Sequence, residues 1–126
     1  MKMKLRIFRC RHCGNVVVKT VDSGVKVVCC GEPMQELIAL TEDAGMEKHV
    51  PVITMKDADT LRVDVGSVEH PMLPEHHIEF VILECENSIQ VRWLADKPTA
   101  EFKIGSDKPK TVYEYCNLHG LWKKDV

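Results

Sequence analysis

The sequence predicts a mainly β protein in two parts, a small metal-stapled module followed by an antiparallel β-sandwich. Three observations carry that expectation. Cys10, Cys13, Cys29 and Cys30 crowd the N-terminal part of the chain. Beyond them, short segments of strand composition alternate with Gly, Asp, Asn and Pro turn signals, a spacing that favours a sandwich over a helical or βαβ fold. Finally, 126 residues with 44% hydrophobic and 29% charged content make a globular chain. That length has room for one ordinary domain, or for a small module followed by a domain of about 85 residues.

Leu5 to Phe8 alternates apolar and basic residues before Cys10-Arg11-His12-Cys13-Gly14, a Cys-x-x-Cys-Gly knuckle. Gly14 can take positive φ there, which turns backbone N–H groups toward a sulfur. Asn15 to Lys19 and Val25 to Val28 are β-branched runs flanking Asp22-Ser23-Gly24, and they read as a hairpin that returns Cys29-Cys30 to the knuckle. Neighbouring Cα atoms are about 3.8 Å apart, below the usual disulfide range. The four thiols therefore read as a closed tetrahedral sulfur site for zinc or iron, with the choice of metal open.

Gly31-Glu32-Pro33 reads as a turn, Met34 to Leu40 as either a helical turn or a strand, and Gln35 to Gly45 as the boundary region, with domains at 1–38 and 39–126. Strands are expected at Val50 to Met55, Leu61 to Val65, His77 to Leu83, Ser88 to Leu94, Glu101 to Ile104 and Thr111 to Tyr115. The turns between them are Asp57-Ala58-Asp59, Gly66-Ser67, Glu86-Asn87, Asp96-Lys97-Pro98 and Gly105-Ser106-Asp107.

Net charge is −2 with a sequence pI near 6.3. That balance lacks the basic excess of a general nucleic-acid or membrane-surface binder. The N-terminus has no apolar core of signal-peptide length, and no stretch is long enough to span a bilayer. The expected compartment is the cytoplasm, where clustered cysteines more often ligate metal than form disulfides.

The second cluster is organised around Cys116 and His119 in Tyr115-Cys116-Asn117-Leu118-His119. A thiolate and an imidazole at this spacing can share a metal, yet two ligands seldom hold one alone. His49, His70 and His76 are the candidates to complete the set. Four neutral imidazoles and one thiolate suit iron and leave a sixth position open to a small molecule. A thiolate donor suits one-electron reduction of an oxygen anion. Lys48, beside His49, would attract such an anion, and Glu47 would reach the open position when substrate is absent. His77 is excluded as a ligand because it should face the other way in an extended segment. His12 is expected to be exposed and Cys85 a buried or free thiol, with Phe80, Trp93 and Trp122 core or rim aromatics rather than parts of an electron path.

Two rival readings stand beside this one. A blue-copper-like electron carrier also places a cysteine and a histidine late in a β-sandwich, but no methionine follows His119 to serve as its weak axial ligand. A zinc-ribbon-containing binding module explains the four early cysteines but leaves the later histidines unused.

Cys10-Arg11-His12-Cys13-Gly14-Asn15 with Val28-Cys29-Cys30-Gly31-Glu32-Pro33-Met34 resembles a desulforedoxin-type module. Glu47-Lys48-His49-Val50-Pro51-Val52, Gly66-Ser67-Val68-Glu69-His70-Pro71-Met72 and Glu114-Tyr115-Cys116-Asn117-Leu118-His119-Gly120 resemble the catalytic domain of desulfoferrodoxin, the two-iron form of superoxide reductase. The resemblance implies one iron on Cys10, Cys13, Cys29 and Cys30. It implies a catalytic iron in an immunoglobulin-like domain, with His49, His70, His76 and His119 equatorial and Cys116 axial. It further implies reduction of superoxide to hydrogen peroxide, Lys48 guiding the anion, and Glu47 on the resting ferric ion. Rubredoxin or a similar small donor, and a homodimer, are implied by the same likeness.

Overall fold

The computed structural model describes residues 4–42 and 48–126, and every regular element among them is a β-strand. The chain divides into two compact units, Met1–Ile38 and Ala39–Val126.

The first unit holds β1 (Ile7–Arg9), β2 (Val16–Val18), β3 (Val28–Cys29), β4 (Glu32–Pro33) and β5 (Gln35–Glu36). β1 is central, antiparallel to β2 in the register Ile7↔Val18 and to β5 in the register Phe8↔Glu36. The expected hairpin between 15–19 and 25–28 is therefore not formed. The Cys10–Gly14 knuckle itself folds β2 back onto β1, which satisfies the β2 backbone. The segment beyond β2 is instead tied by side chains: Lys19 donates to Asp22 at 3.0 Å and to the Val25 carbonyl at 2.8 Å.

The turn expected at Gly31-Glu32-Pro33 is centred one residue earlier. β3 and β4 pair as Val28↔Pro33 and Cys29↔Glu32, so Cys30 and Gly31 are the central residues of a two-residue hairpin. Both have positive φ, 51° and 77°, as a type I′ turn requires. Met34 to Leu40, left open between helix and strand, is extended. Among the described residues of this unit, only Ile7, Phe8 and Cys10 are buried hydrophobics. Arg6 compensates by pairing with Glu36 and Asp22 while its guanidinium lies 5.2 Å from the Phe8 ring. So small a core needs a metal staple.

The second unit holds β6 (Pro51–Asp57), β7 (Thr60–Val65), β8 (Ile78–Cys85), β9 (Ile89–Trp93), β10 (Thr99–Lys103), β11 (Pro109–Cys116) and β12 (Gly120–Asp125). They form a three-stranded sheet, β10-β7-β6, and a four-stranded sheet, β12-β11-β8-β9, all antiparallel. The order matches an immunoglobulin-like sandwich. Leu61, Val63, Val65, Ala100 and Phe102 of one sheet meet Val81, Leu83, Cys85 and Val112 of the other in a single core. β12 was not expected from its sequence, because only Leu121 and Trp122 in Gly120–Asp125 are apolar. It forms by pairing with β11 along its length, from Cys116↔Gly120 to Thr111↔Asp125.

This topology brings the starts of β6, β8 and β12 and the ends of β7 and β11 to one end of the sandwich. His49, His70, His76, Cys116 and His119 all sit on the segments that meet there.

Candidate metal centres

In the first unit the sulfurs of Cys10, Cys13, Cys29 and Cys30 all lie within 4.8 Å of one another. Cys13 Sγ and Cys29 Sγ are 3.6 Å apart. A tetrahedron with metal–sulfur bonds of about 2.3 Å has edges of about 3.8 Å, so four thiolates and one metal fit this cage. The backbone prepares it. Cys10 N donates to the Asn15 carbonyl and Gly14 N to the Cys10 carbonyl, both at 2.9 Å, which aims the Cys13 N–H at Cys10 Sγ. That N–H is the main reason the Cys10 thiol is lowered to about 6 from its ordinary 9.0, with the His12 N–H assisting. Hydrogen bonds among the sulfurs push Cys30 up to about 12. Gathered sulfurs cannot all shed their protons unaided, which is the condition a cation relieves. His12 points away, toward Glu32 at 3.1 Å.

In the second unit, the nitrogens of His49, His70, His76 and His119 and the Cys116 sulfur also fall within 4.8 Å of one another. The rings form a closed square: His49 to His70 is 4.9 Å, His70 to His76 4.6 Å, His76 to His119 4.9 Å, and His119 to His49 4.8 Å between centroids. Each ring is turned 66–78° from the next. His49 Nε2 and His119 Nδ1 are 3.2 Å apart, and Cys116 Sγ is 3.6 Å from the same Nδ1. Two nitrogens at right angles on bonds of about 2.1 Å would stand about 3.0 Å apart.

The protonation states agree with a metal. His70 Nδ1 lies 2.7 Å from the Pro71 carbonyl and so carries the proton, which leaves Nε2 as a bare lone pair. Nε2 of His70 and Nε2 of His76 are both buried without a hydrogen-bond partner, an arrangement that costs free energy unless a cation fills it. Burial lowers His70 to about 4 and also lowers His76, helped there by His119 and Lys48, so both stay neutral near pH 7. Burial pushes the Cys116 thiol up, against the Leu118 and His119 N–H groups that favour its thiolate. The set is thus four imidazoles and a fifth, softer donor, which suits iron.

Two residues that the sequence did not tie to this cluster hold it in place. Trp122 stacks on His49 at 4.6 Å and 13°, and its Nε1 donates to the His119 carbonyl at 3.1 Å. Asn117 ties two ligand loops together: its side-chain nitrogen donates to the Glu75 carbonyl at 3.0 Å, and its Oδ1 accepts from His77 N at 2.8 Å. The signal for Asn117 was its place between Cys116 and His119, where a short amide side chain stabilises a tight turn. His76 is held by reciprocal backbone bonds with Leu73.

Lys48 is half-buried and close enough to His76 to act on its charge. Glu47 lies outside the described residues. His77 is not part of the square; its Nδ1 lies 2.9 Å from the Leu73 carbonyl. Cys85 is buried beside the core, away from both clusters.

Comparison with known proteins agrees with this geometry. The family described as Desulfoferrodoxin matches residues 41–125, and the one described as Desulfoferrodoxin, N-terminal domain, matches residues 2–37. The chain is 45% identical over 128 residues to desulfoferrodoxin of Nitratidesulfovibrio vulgaris, covering all of both chains. It is 35% identical to superoxide reductase of Pyrococcus abyssi over 64% of this chain and 86% of that one. Among solved structures, superoxide reductase of Treponema pallidum superposes with a TM-score of 0.82 at 32% identity, covering 96% of this chain and 98% of that one.

Proposed function

The chain belongs to the desulfoferrodoxin family, and on that ground we propose that it is a superoxide reductase, converting superoxide to hydrogen peroxide with one electron and two protons. The observation that carries the reading is the square of four imidazoles with Cys116 beside it, in which the buried Nε2 atoms of His70 and His76 have no other partner. The protein takes two iron ions, one for each cluster. His49, His70, His76, Cys116 and His119 would hold the second iron, which when bound as the ferrous ion would supply the single electron.

The chain's own residues do the rest. Trp122 and Asn117 keep the imidazoles in place, so that the donor set is formed before substrate arrives. The Pro71 carbonyl fixes the His70 tautomer. Lys48 raises the local concentration of a small anion and favours charge developing on it. The first unit, 1–38, is assigned as the four-thiolate iron module and the second, 39–126, as the catalytic domain. Rubredoxin or a similar small carrier as donor, a homodimer and a cytoplasmic location complete the reading. No helix of the described residues is long and apolar enough to cross a membrane.

Two variants of the iron-loaded protein test it against pulse-generated superoxide. Cys116→Ser should lose most superoxide consumption while keeping its fold; retained activity would refute the assigned site. Lys48→Ala should react more slowly, with a rate that depends less on ionic strength than the parent's.

A further inference from the structure

Trp93 is 82% exposed, an unusual state for an indole, which is normally among the most buried side chains on average. It ends β9, an edge strand of the four-stranded sheet. Its register partner on β8 is Phe80, and the partner of Phe80 on β11 is Tyr115. Residues paired in this way share one face of a sheet. Here it is the face turned from the core, since Val81, Leu83 and Cys85 of β8 point inward. Phe80 and Tyr115 are buried and stacked, with centroids 5.4 Å apart and planes 13° apart. Tyr115 is bonded directly to Cys116. A row of three aromatic residues thus crosses three strands, about 10 Å of sheet at the usual strand spacing, from open surface to the neighbour of the thiolate ligand.

Resting on the superoxide reductase reading, we propose that Trp93 is the docking point of a small one-electron donor protein, and that Phe80 and Tyr115 connect it to Cys116. In the step concerned the donor loses one electron and the oxidised catalytic iron gains it. No bond forms or breaks, and the aromatics serve as the medium between the two centres.

The surface around Trp93 favours this occupant over a second copy of the chain. Ile89 and Val91, each 39% exposed, share its face, so β9 itself presents three exposed apolar side chains there. A stable interface buries about 1,600 Å², whereas redox encounters fall below about 1,200 Å². A large exposed Trp is the residue type in which binding hot spots are enriched.

The test uses the iron-loaded full chain, with reduced rubredoxin as the probe. Trp93→Ala should weaken rubredoxin binding and slow rubredoxin-driven reduction of the oxidised catalytic iron by about tenfold or more. Reduction by ascorbate, the reaction with superoxide and the melting temperature should match the parent. Phe80→Leu should bind rubredoxin normally yet accept its electron more slowly. Parent-like binding and reduction in Trp93→Ala would overturn the proposal, as would a parent that does not bind rubredoxin. Loss of self-association in Trp93→Ala with an unchanged donor rate would overturn it in favour of a second copy. If the parent consumed no superoxide but still took electrons through Trp93, the functional reading would fail and the docking site would stand.

Discussion

At the scale of single residues, what distinguishes the cluster of four histidines and Cys116 from a chance meeting of histidines is the state of its buried donor atoms. His70 has its proton fixed on the outer nitrogen by the Pro71 carbonyl, and its inner nitrogen is buried and bare. Which residues gather there was legible in the sequence, because Cys116-x-x-His119 calls for partners and few histidines remained to supply them. What positions them was not, since the stacking of Trp122 on His49 joins residues far apart in the chain. Asn117 gives a direct check. Asn117→Ala removes the tie between the 75–77 and 116–119 loops, and support of this kind is worth about 10–100-fold in metal affinity. Competition with a chelator should show iron binding weakened by that factor at the catalytic site. His70 gives a second check, on metal-free protein. Its folded value is lowered to about 4 from 6.5, so the unfolded chain binds the proton first as pH falls. Stability should therefore fall between about pH 6.5 and about pH 4 and level off below. A His70→Gln variant should lose that part of the pH dependence, as followed by thermal melts.

At the scale of elements, the sandwich strands with alternating or continuous apolar runs were legible, and those whose pairing comes from context were not. β12 carries Lys123, Lys124 and Asp125 and has little strand character of its own; its partner β11 supplies the ladder. The N-terminal hairpin was misplaced for a related reason. Val25 to Val28 has strand composition, but β1 already offers β2 a complete partner through the Cys10–Gly14 knuckle. The Cys30–Gly31 turn shows how adjacent cysteines become useful, since with two successive left-handed residues both thiols join the same cluster of four sulfurs. Gly31→Ala should destabilise that turn by about 1 kcal/mol from backbone conformation alone, because no atom lies within 4 Å of the added methyl. Denaturant-driven loss of the thiolate–iron absorption should shift to lower concentration by the corresponding amount.

At the scale of the whole molecule, two compact units carry two ligand sets of different character. The smaller has almost no core and a cage of four sulfurs; the larger has a packed interior and a site at one end of the sandwich. Stability of the first should depend on its metal, and that of the second on its core. Cys13→Ser should therefore abolish iron binding in the first unit and leave superoxide consumption intact, read from iron content and pulse kinetics on the same sample. The sequence signal for two parts was the four early cysteines ahead of a boundary region at Gln35 to Gly45, and the contacts divide the chain into Met1–Ile38 and Ala39–Val126. The measurement that tests the account most directly is the product balance of superoxide consumption by the anaerobically reduced, iron-loaded protein. A reductase yields hydrogen peroxide for every superoxide consumed and releases no dioxygen. Dioxygen released alongside peroxide, the mark of dismutation, or no consumption at all, would contradict it.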